Sequence, residues 1–183
     1  DIDLDIAIKP FGELPFLPRL GITLIAPGAF DTFTWFGRGP HENYCDRKLG
    51  APIGRYTSTA SNQYVPYVRP QEHGNKTDVR WAALLNGNGA GLLAAAVEPI
   101  EASALHYSGN ALDVAEHPYE LTWSEDVYFN LDYRQSGLGN ASCGPGVLPQ
   151  YVLHPEPVTY AVRLSALDGK ERTLEAVLKE RNS

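Results

Sequence analysis

The chain has 183 residues, 43% of them hydrophobic and 20% charged, which is ordinary for one globular domain with a sizeable core. Its 22 acidic residues outnumber its 15 basic ones, and a net charge of −7 argues against nucleic acid, which usually binds to a basic surface. No apolar run approaches the roughly 18 residues of a membrane span, so we expect no membrane partner. Because the sequence contains no methionine, we expect it to be part of a larger protein.

Alternating apolar and polar residues, the period of a β-strand, recur along most of the chain. They predict strands at residues 1–9, 20–25, 30–36, 79–85, 92–97, 127–133 and 158–167, with shorter strands near 105–107 and 112–114. The N-G-N-G-A-G segment at 86–91 predicts a hairpin turn, because asparagine and glycine tolerate a positive φ. Only Glu171 to Arg181 has helical composition, and Pro118 to Ser124 can add one turn. The fold class is therefore all-β, a sandwich or a barrel.

Two long irregular stretches, residues 37–75 and 136–157, are typical of functional loops. The first begins within W-F-G-R-G-P-H-E-N-Y-C-D-R (35–47) and ends with Y-V-P-Y-V-R-P-Q-E-H-G-N (64–75). Their aromatic, acidic and amide residues fit either a sugar site or a buried polar corner. For Asp46 and Arg47 we favour the polar corner, and for Glu72 and His73 the two interpretations stand equal.

Acid–base pairing within these segments is constrained by strand geometry. His41 with Glu42, and Glu72 with His73, are adjacent in sequence and would point to opposite faces of an extended strand. A cross-pair such as His41 with Glu72 stays open. The five histidines show no close metal-ligand spacing, so we expect no metal ligands in this chain.

The second irregular stretch opens on Q-S-G-L-G-N-A-S-C-G-P-G, residues 135–146. Its glycines allow a ligand to approach the backbone closely around Cys143. The following prolines argue against the helix that a phosphate-binding loop requires. Cys143 can be a site-wall residue, a catalytic thiol or an inert loop residue, and Cys45 and Cys143 can be paired or reduced.

Taken in order, the segments at 35–47, 64–75 and 137–145 resemble the C-terminal domain, or small chain, of the β-galactosidases of glycoside hydrolase family 2. The similarity runs from about Leu17 to Leu167, and Asp1 to Glu13 resembles the first strand of that domain. It implies a large antiparallel supersandwich, similar to galactose mutarotases, over residues 1–169. Residues 170–183 lie outside it as a C-terminal extension of helical composition.

The resemblance implies a parent enzyme that hydrolyses terminal β-D-galactosides with two glutamates of a barrel domain that this chain lacks. Mg²⁺ and Na⁺ are then expected in the other domains, the chain alone is expected to be inactive, and a cytoplasmic location is favoured. The domain lends part of the active-site wall, and the residues expected at the substrate are Gly139, Asn140, Ser142 and Cys143. The residues expected to support them are His41, Glu42, Asn43, Arg69, Glu72 and His73. Cys143 takes the place of a sugar-stacking tryptophan, which predicts a different substrate or acceptor preference.

Two other functions remain as alternatives. A stand-alone mutarotase-like aldose epimerase would need a histidine acid and a glutamate base in one cleft. A free carbohydrate-binding module would need no catalytic group. In the leading interpretation, the partners are a galactoside or another carbohydrate and the remaining domains of the parent enzyme.

Overall fold

The computed structural model describes residues 1–140 and 144–181. The strands within that part of the chain are β1 (Ile2–Ile8), β2 (Arg19–Ala26), β3 (Thr32–Arg38), β4 (Ile53–Thr59), β5 (Lys76–Leu85), β6 (Ala90–Leu105), β7 (Val127–Gln135) and β8 (Val158–Asp168). The α-helices are α1 (Gly109–Val114) and α2 (Leu174–Arg181), and short 3₁₀ turns lie at Ser61–Gln63, Pro118–Glu120 and Pro149–Tyr151.

The strands form one antiparallel sheet that branches at β6. The first half of β6 pairs with β8, its second half pairs with β7, and β5 lies along the opposite edge. The sheet continues from β8 to β1, from β7 to β2, and from β5 through β3 to β4. Side chains from both branches share one hydrophobic core, which is consistent with a sandwich-type domain. The predicted all-β antiparallel fold class is therefore confirmed.

Strand β1 illustrates how the alternation produces this core. Leu4 and Ile6 lie opposite Val162 and Tyr160 of β8 and pack into the core, whereas the intervening aspartates face outward. The predicted hairpin turn at 86–91 is also observed. Asn86 Oδ1 accepts hydrogen bonds from the backbone N–H groups of residues 88 and 90, and Gly89 has a φ of 77°.

Three expectations for the local structure are wrong. Residues 37–75 contain the edge strand β4, whose sequence I-G-R-Y-T-S-T has only two large apolar residues, Ile53 and Tyr56, and these do not alternate. The segment predicted as a short strand at 112–114 belongs to α1, because the Ser108 side chain caps that helix by accepting a hydrogen bond from Ala111 N. Leu105 ends β6 and does not begin a separate short strand.

Helix α2 lies where helical composition was predicted. Its Leu174 and Val177 pack on Ala83, Leu93 and Leu167, on a second apolar cluster of the sheet. In the described part of the chain, no helix is long and apolar enough to cross a membrane.

Candidate functional site

Asn43 joins the first polar segment to the start of β5. This side chain is fully buried, and its Oδ1 accepts hydrogen bonds from Thr77 N at 2.9 Å and Thr77 Oγ1 at 2.6 Å. Its amide donates to His41 O at 3.0 Å, and its backbone N–H donates to Asn75 O at 2.9 Å. Asn43 thereby satisfies backbone groups of an irregular loop that would otherwise be buried without partners.

Glu42 joins the same segment to residues 64–75. One carboxylate oxygen accepts hydrogen bonds from Arg47 Nη2 at 2.8 Å and from the Tyr67 hydroxyl, and the other accepts one from Gly74 N at 2.8 Å. The Arg47 guanidinium also lies 5.0 Å from the centre of the Tyr44 ring. Glu42 and Arg47 therefore form a hydrogen-bonded corner between the two segments.

His73 is buried beneath this corner. Its Nδ1 lies 2.9 Å from Gln71 O, its Nε2 has no hydrogen-bond partner among the described residues, and burial lowers its pKa. The neighbouring Lys76 is buried as well, donates to Gly74 O at 2.9 Å and lies 5.1 Å from a Trp35 ring centre. Burial lowers the pKa of Lys76 to about 7.

Two of the predicted supporting residues lie outside this corner. His41 and Arg69 are exposed, and their side chains make no hydrogen bond with another described residue. Hydrogen bonds within the described chain join neither His41 nor His73 to Glu72 or Glu42, so the open cross-pair of His41 with Glu72 does not form.

A network of hydrogen-bonded polar side chains extends from Glu72 into the sheet. Arg19 donates to Glu72 Oε2 at 3.1 Å and to Asp132 Oδ2 at 2.5 Å. Gln135 donates to the same Asp132 oxygen at 3.0 Å and to Asn75 Oδ1 at 3.3 Å. Side chains therefore link three segments of the chain, β2, the loop at 64–75 and β7.

This hydrogen-bonded network ends at Glu101, which accepts a hydrogen bond from Asn75 Nδ2 at 2.6 Å. Arg19 pairs with two of the three carboxyl groups in this network, those of Glu72 and Asp132, whereas Glu101 is bonded to Asn75. Burial raises the pKa of Glu72 to about 7 and that of Glu101 to about 7, and it also raises the pKa of Asp132. The folded state consequently favours protonation of part of this group at neutral pH.

The glycine-rich loop is attached to the first polar segment at Asp46. Asp46 Oδ2 accepts a hydrogen bond from Gly139 N at 2.9 Å, and a Cβ at Gly137 would lie only 2.6 Å from Asp46 Cγ. Asp46 Oδ1 is buried and has no hydrogen-bond partner within residues 1–140 and 144–181. Asn140 N donates to Pro145 O at 3.0 Å and so closes the loop on itself.

Cys45 fixes the base of the loop from the other side. Its Sγ lies 3.6 Å from Gln135 O and 3.7 Å from Tyr151 O, and burial raises its pKa to about 11, so the thiol is a weak donor and not a nucleophile at neutral pH. Of the four residues expected at the substrate, Gly139 and Asn140 lie in this loop, whereas Ser142 and Cys143 lie outside the described residues.

Four residues of this network, Arg19, Glu101, Asp132 and Gln135, were not predicted as site residues from the sequence. The clearest indication of this network in the sequence is Asp132, a charged residue within the apolar strand V-Y-F-N-L-D-Y. Across residues 1–140 and 144–181, no group of three or more His, Cys, Asp or Glu side chains could hold a metal ion.

The protein is an all-β domain of the sandwich type, in which Asp46 of the first polar segment binds a glycine-rich loop. The chain belongs to the β-galactosidase small chain family, which matches residues 1–164. It is 39% identical over 163 residues to a β-galactosidase of Priestia megaterium, 37% identical over 169 residues to one of an Arthrobacter species, and 36% identical over 168 residues to one of Vibrio cholerae. Each match covers 89% of this chain, and the chain spans about 15% of the length of these relatives.

Proposed function

We propose that this chain is a non-catalytic part of a β-galactosidase and completes the wall of the site that hydrolyses terminal β-D-galactosides. Its relatives are β-galactosidases of which it spans about 15%, so the remaining domains have to supply the catalytic glutamates. We assign the Mg²⁺ and Na⁺ sites of the parent enzyme to those domains as well. By itself, the chain is expected to be inactive.

The attachment of the glycine-rich loop carries this proposal. Asp46 accepts a hydrogen bond from Gly139 N at 2.9 Å, and Asn140 N donates to Pro145 O at 3.0 Å, so the backbone of the loop is fixed. Because these two N–H groups already have partners, the backbone C=O groups of Gly139 and Asn140 are the groups that can accept hydrogen bonds from sugar hydroxyls. Ser142 and Cys143 complete the proposed surface, and the small thiol offers a pyranose less stacking area than an aromatic ring does.

The polar corner has a supporting role in this proposal. Glu42, Asn43, Glu72 and His73 fix the backbone beneath the loop, because their side chains bond backbone groups or Arg19 and none of them projects freely into solvent. An epimerase would instead need a histidine and a glutamate facing each other in one cleft. No hydrogen bond in the described chain favours that alternative.

A chimera tests the proposal. The matching segment of the Priestia megaterium β-galactosidase is replaced by this whole chain, so that α2 is kept, and hydrolysis of o-nitrophenyl β-D-galactopyranoside is measured. We expect no activity from the chain alone or from the relative without its segment, and restored activity from the chimera. A chimera that elutes as a folded, assembled protein but does not hydrolyse the substrate would contradict the proposal.

A further inference from the structure

Three aromatic rings outside the glycine-rich loop form a partly exposed cluster. Tyr64 follows the turn at Ser61–Gln63, Tyr107 follows β6, and Trp123 precedes β7. The ring centroids of Tyr64 and Tyr107 lie 5.5 Å apart, and those of Tyr107 and Trp123 lie 5.9 Å apart. Trp123 is 48% exposed and both tyrosines are half-buried. We refer to Tyr64, Tyr107 and Trp123 as the aromatic platform.

Contacts with buried residues fix the orientation of the Trp123 ring in the platform. The indole of Trp123 stacks on the buried ring of His106, with centroids 4.0 Å apart and planes 18° from parallel. His106 is itself fixed, since its Nδ1 lies 2.9 Å from Ser124 O and its Nε2 lies 3.3 Å from Asp31 Oδ1. The orientation of the indole is therefore set before any ligand arrives, which lowers the entropic cost of binding.

The platform also carries polar groups without partners. The hydroxyls of Tyr64 and Tyr107 and the indole N–H of Trp123 make no hydrogen bond with another described residue. His73 is 1% exposed, its Nε2 has no partner in the described part of the chain, and its ring packs edge-on against Tyr64 with centroids 5.3 Å apart. Buried polar groups are nearly always hydrogen-bonded, so an orphaned one calls for an additional partner such as water or a ligand.

We propose that the aromatic platform binds a pyranose ring of a neutral saccharide, as a subsite separate from the glycine-rich loop. The planes of Tyr107 and Trp123 are 86° apart, so the half-exposed Trp123 indole is the ring that packs against the apolar face of the sugar, while the free hydroxyls of Tyr64 and Tyr107 and the indole N–H bind its hydroxyl groups. An apolar protein surface would leave those three polar groups unpaired, and the net charge of −7 disfavours an anionic ligand. This inference rests on the proposed function for its ligand class.

Titration with lactose, followed by NMR of the tryptophan indole N–H groups in the full chain, tests the platform. The chain has three tryptophans, and Trp35 is buried with its N–H bonded to Arg38 O. We expect the Trp123 signal to move with saturation while the Trp35 signal stays in place. Trp123→Ala should weaken lactose binding at least tenfold, or about 1.4 kcal/mol. Tyr119→Ala is the matched control, because Tyr119 is 81% exposed and lies outside the platform.

The outcomes separate this inference from the proposed function. A Trp123 signal that lactose does not move, or lactose binding that Trp123→Ala does not weaken, overturns the platform. If lactose moves only the backbone signals of Gly139 and Asn140, the platform fails while the proposed function stands. If the remaining domains of a relative move the Trp123 signal and lactose does not, the platform is a contact between domains and the inference is wrong. An inactive chimera together with a saturable Trp123 shift would contradict the proposed function alone.

Discussion

Replacing Glu101 by glutamine is expected to remove much of the pH dependence of this domain's stability. Glu101 is buried and accepts a hydrogen bond from Asn75 Nδ2 at 2.6 Å. Burial raises its pKa from 4.5 to about 7, so the folded protein favours the neutral acid. Glutamine resembles that neutral acid in shape and retains an oxygen that can accept the Asn75 hydrogen bond.

The sign and size of the effect follow from the two pKa values. Between pH 4.5 and about 7 the folded state binds more protons than the unfolded state, so the free energy of unfolding falls as pH rises. Below this pH range, Glu101 does not lower the free energy of unfolding. Above it, the difference between pKa values of 4.5 and about 7 corresponds to a loss of about 3 kcal/mol in the free energy of unfolding. Glu72, whose pKa is raised in the same direction, keeps part of the slope in the variant.

Urea unfolding at pH values below and above this window measures the effect. The wild-type domain should lose about 3 kcal/mol more stability than Glu101→Gln between the two conditions. Glu98→Gln changes an exposed glutamate of the same strand and should behave like the wild type. If Glu101→Gln and the wild type lose stability in parallel, the buried carboxyl does not carry the proposed proton, and the reasoning fails.

Further predictions concern the loop, the corner and the helix. Asp46→Ala should speed hydrogen exchange at Gly139 N about fivefold, as expected for the loss of a hydrogen bond of about 1 kcal/mol. Asp46→Asn is the control, because it keeps an acceptor for this N–H group. Equal exchange rates in the two variants would contradict the hydrogen bond. Asn43→Ala should lower the free energy of urea unfolding by about 2–4 kcal/mol because it orphans Thr77 N, and a change below about 0.5 kcal/mol would contradict this role. Leu174→Ala should cost about 2–3 kcal/mol in the same assay, and no loss would mean that α2 is not an integral part of the domain.

Most of the sheet could be predicted because its strands carry a clear apolar alternation. β1 and β8 pair through inward Leu, Ile and Val side chains, and their sequences alternate accordingly. β4 could not be found in this way, because its only large apolar residues, Ile53 and Tyr56, are three residues apart and do not alternate. At α1, a single serine cap outweighs the β-branched and apolar residues that suggested a strand.

Part of the candidate site could be predicted because polar residues in an irregular loop need partners. That argument favours a hydrogen-bonded role for Asp46 and Arg47, and the structure shows Asp46 bonded to Gly139 N and Arg47 bonded to Glu42. It could not find Arg19, Glu101 or Asp132, since these residues meet only through strand register. Glu101 lies opposite Asp132 across β6 and β7, and Arg19 lies opposite Gln135 across β2 and β7. Such pairing over more than 30 residues of sequence has no local signal.

The central claim is that the loop held by Asp46 forms part of a β-galactosidase active site. The most direct test compares Asp46→Ala with Asp46→Asn in the active chimera, by measuring kcat/KM for o-nitrophenyl β-D-galactopyranoside. We predict a loss of about tenfold for Asp46→Ala, equivalent to about 1.4 kcal/mol, and a smaller loss for Asp46→Asn, which retains the acceptor for Gly139 N. Unchanged kcat/KM in a folded Asp46→Ala chimera with increased exchange at Gly139 would contradict the account.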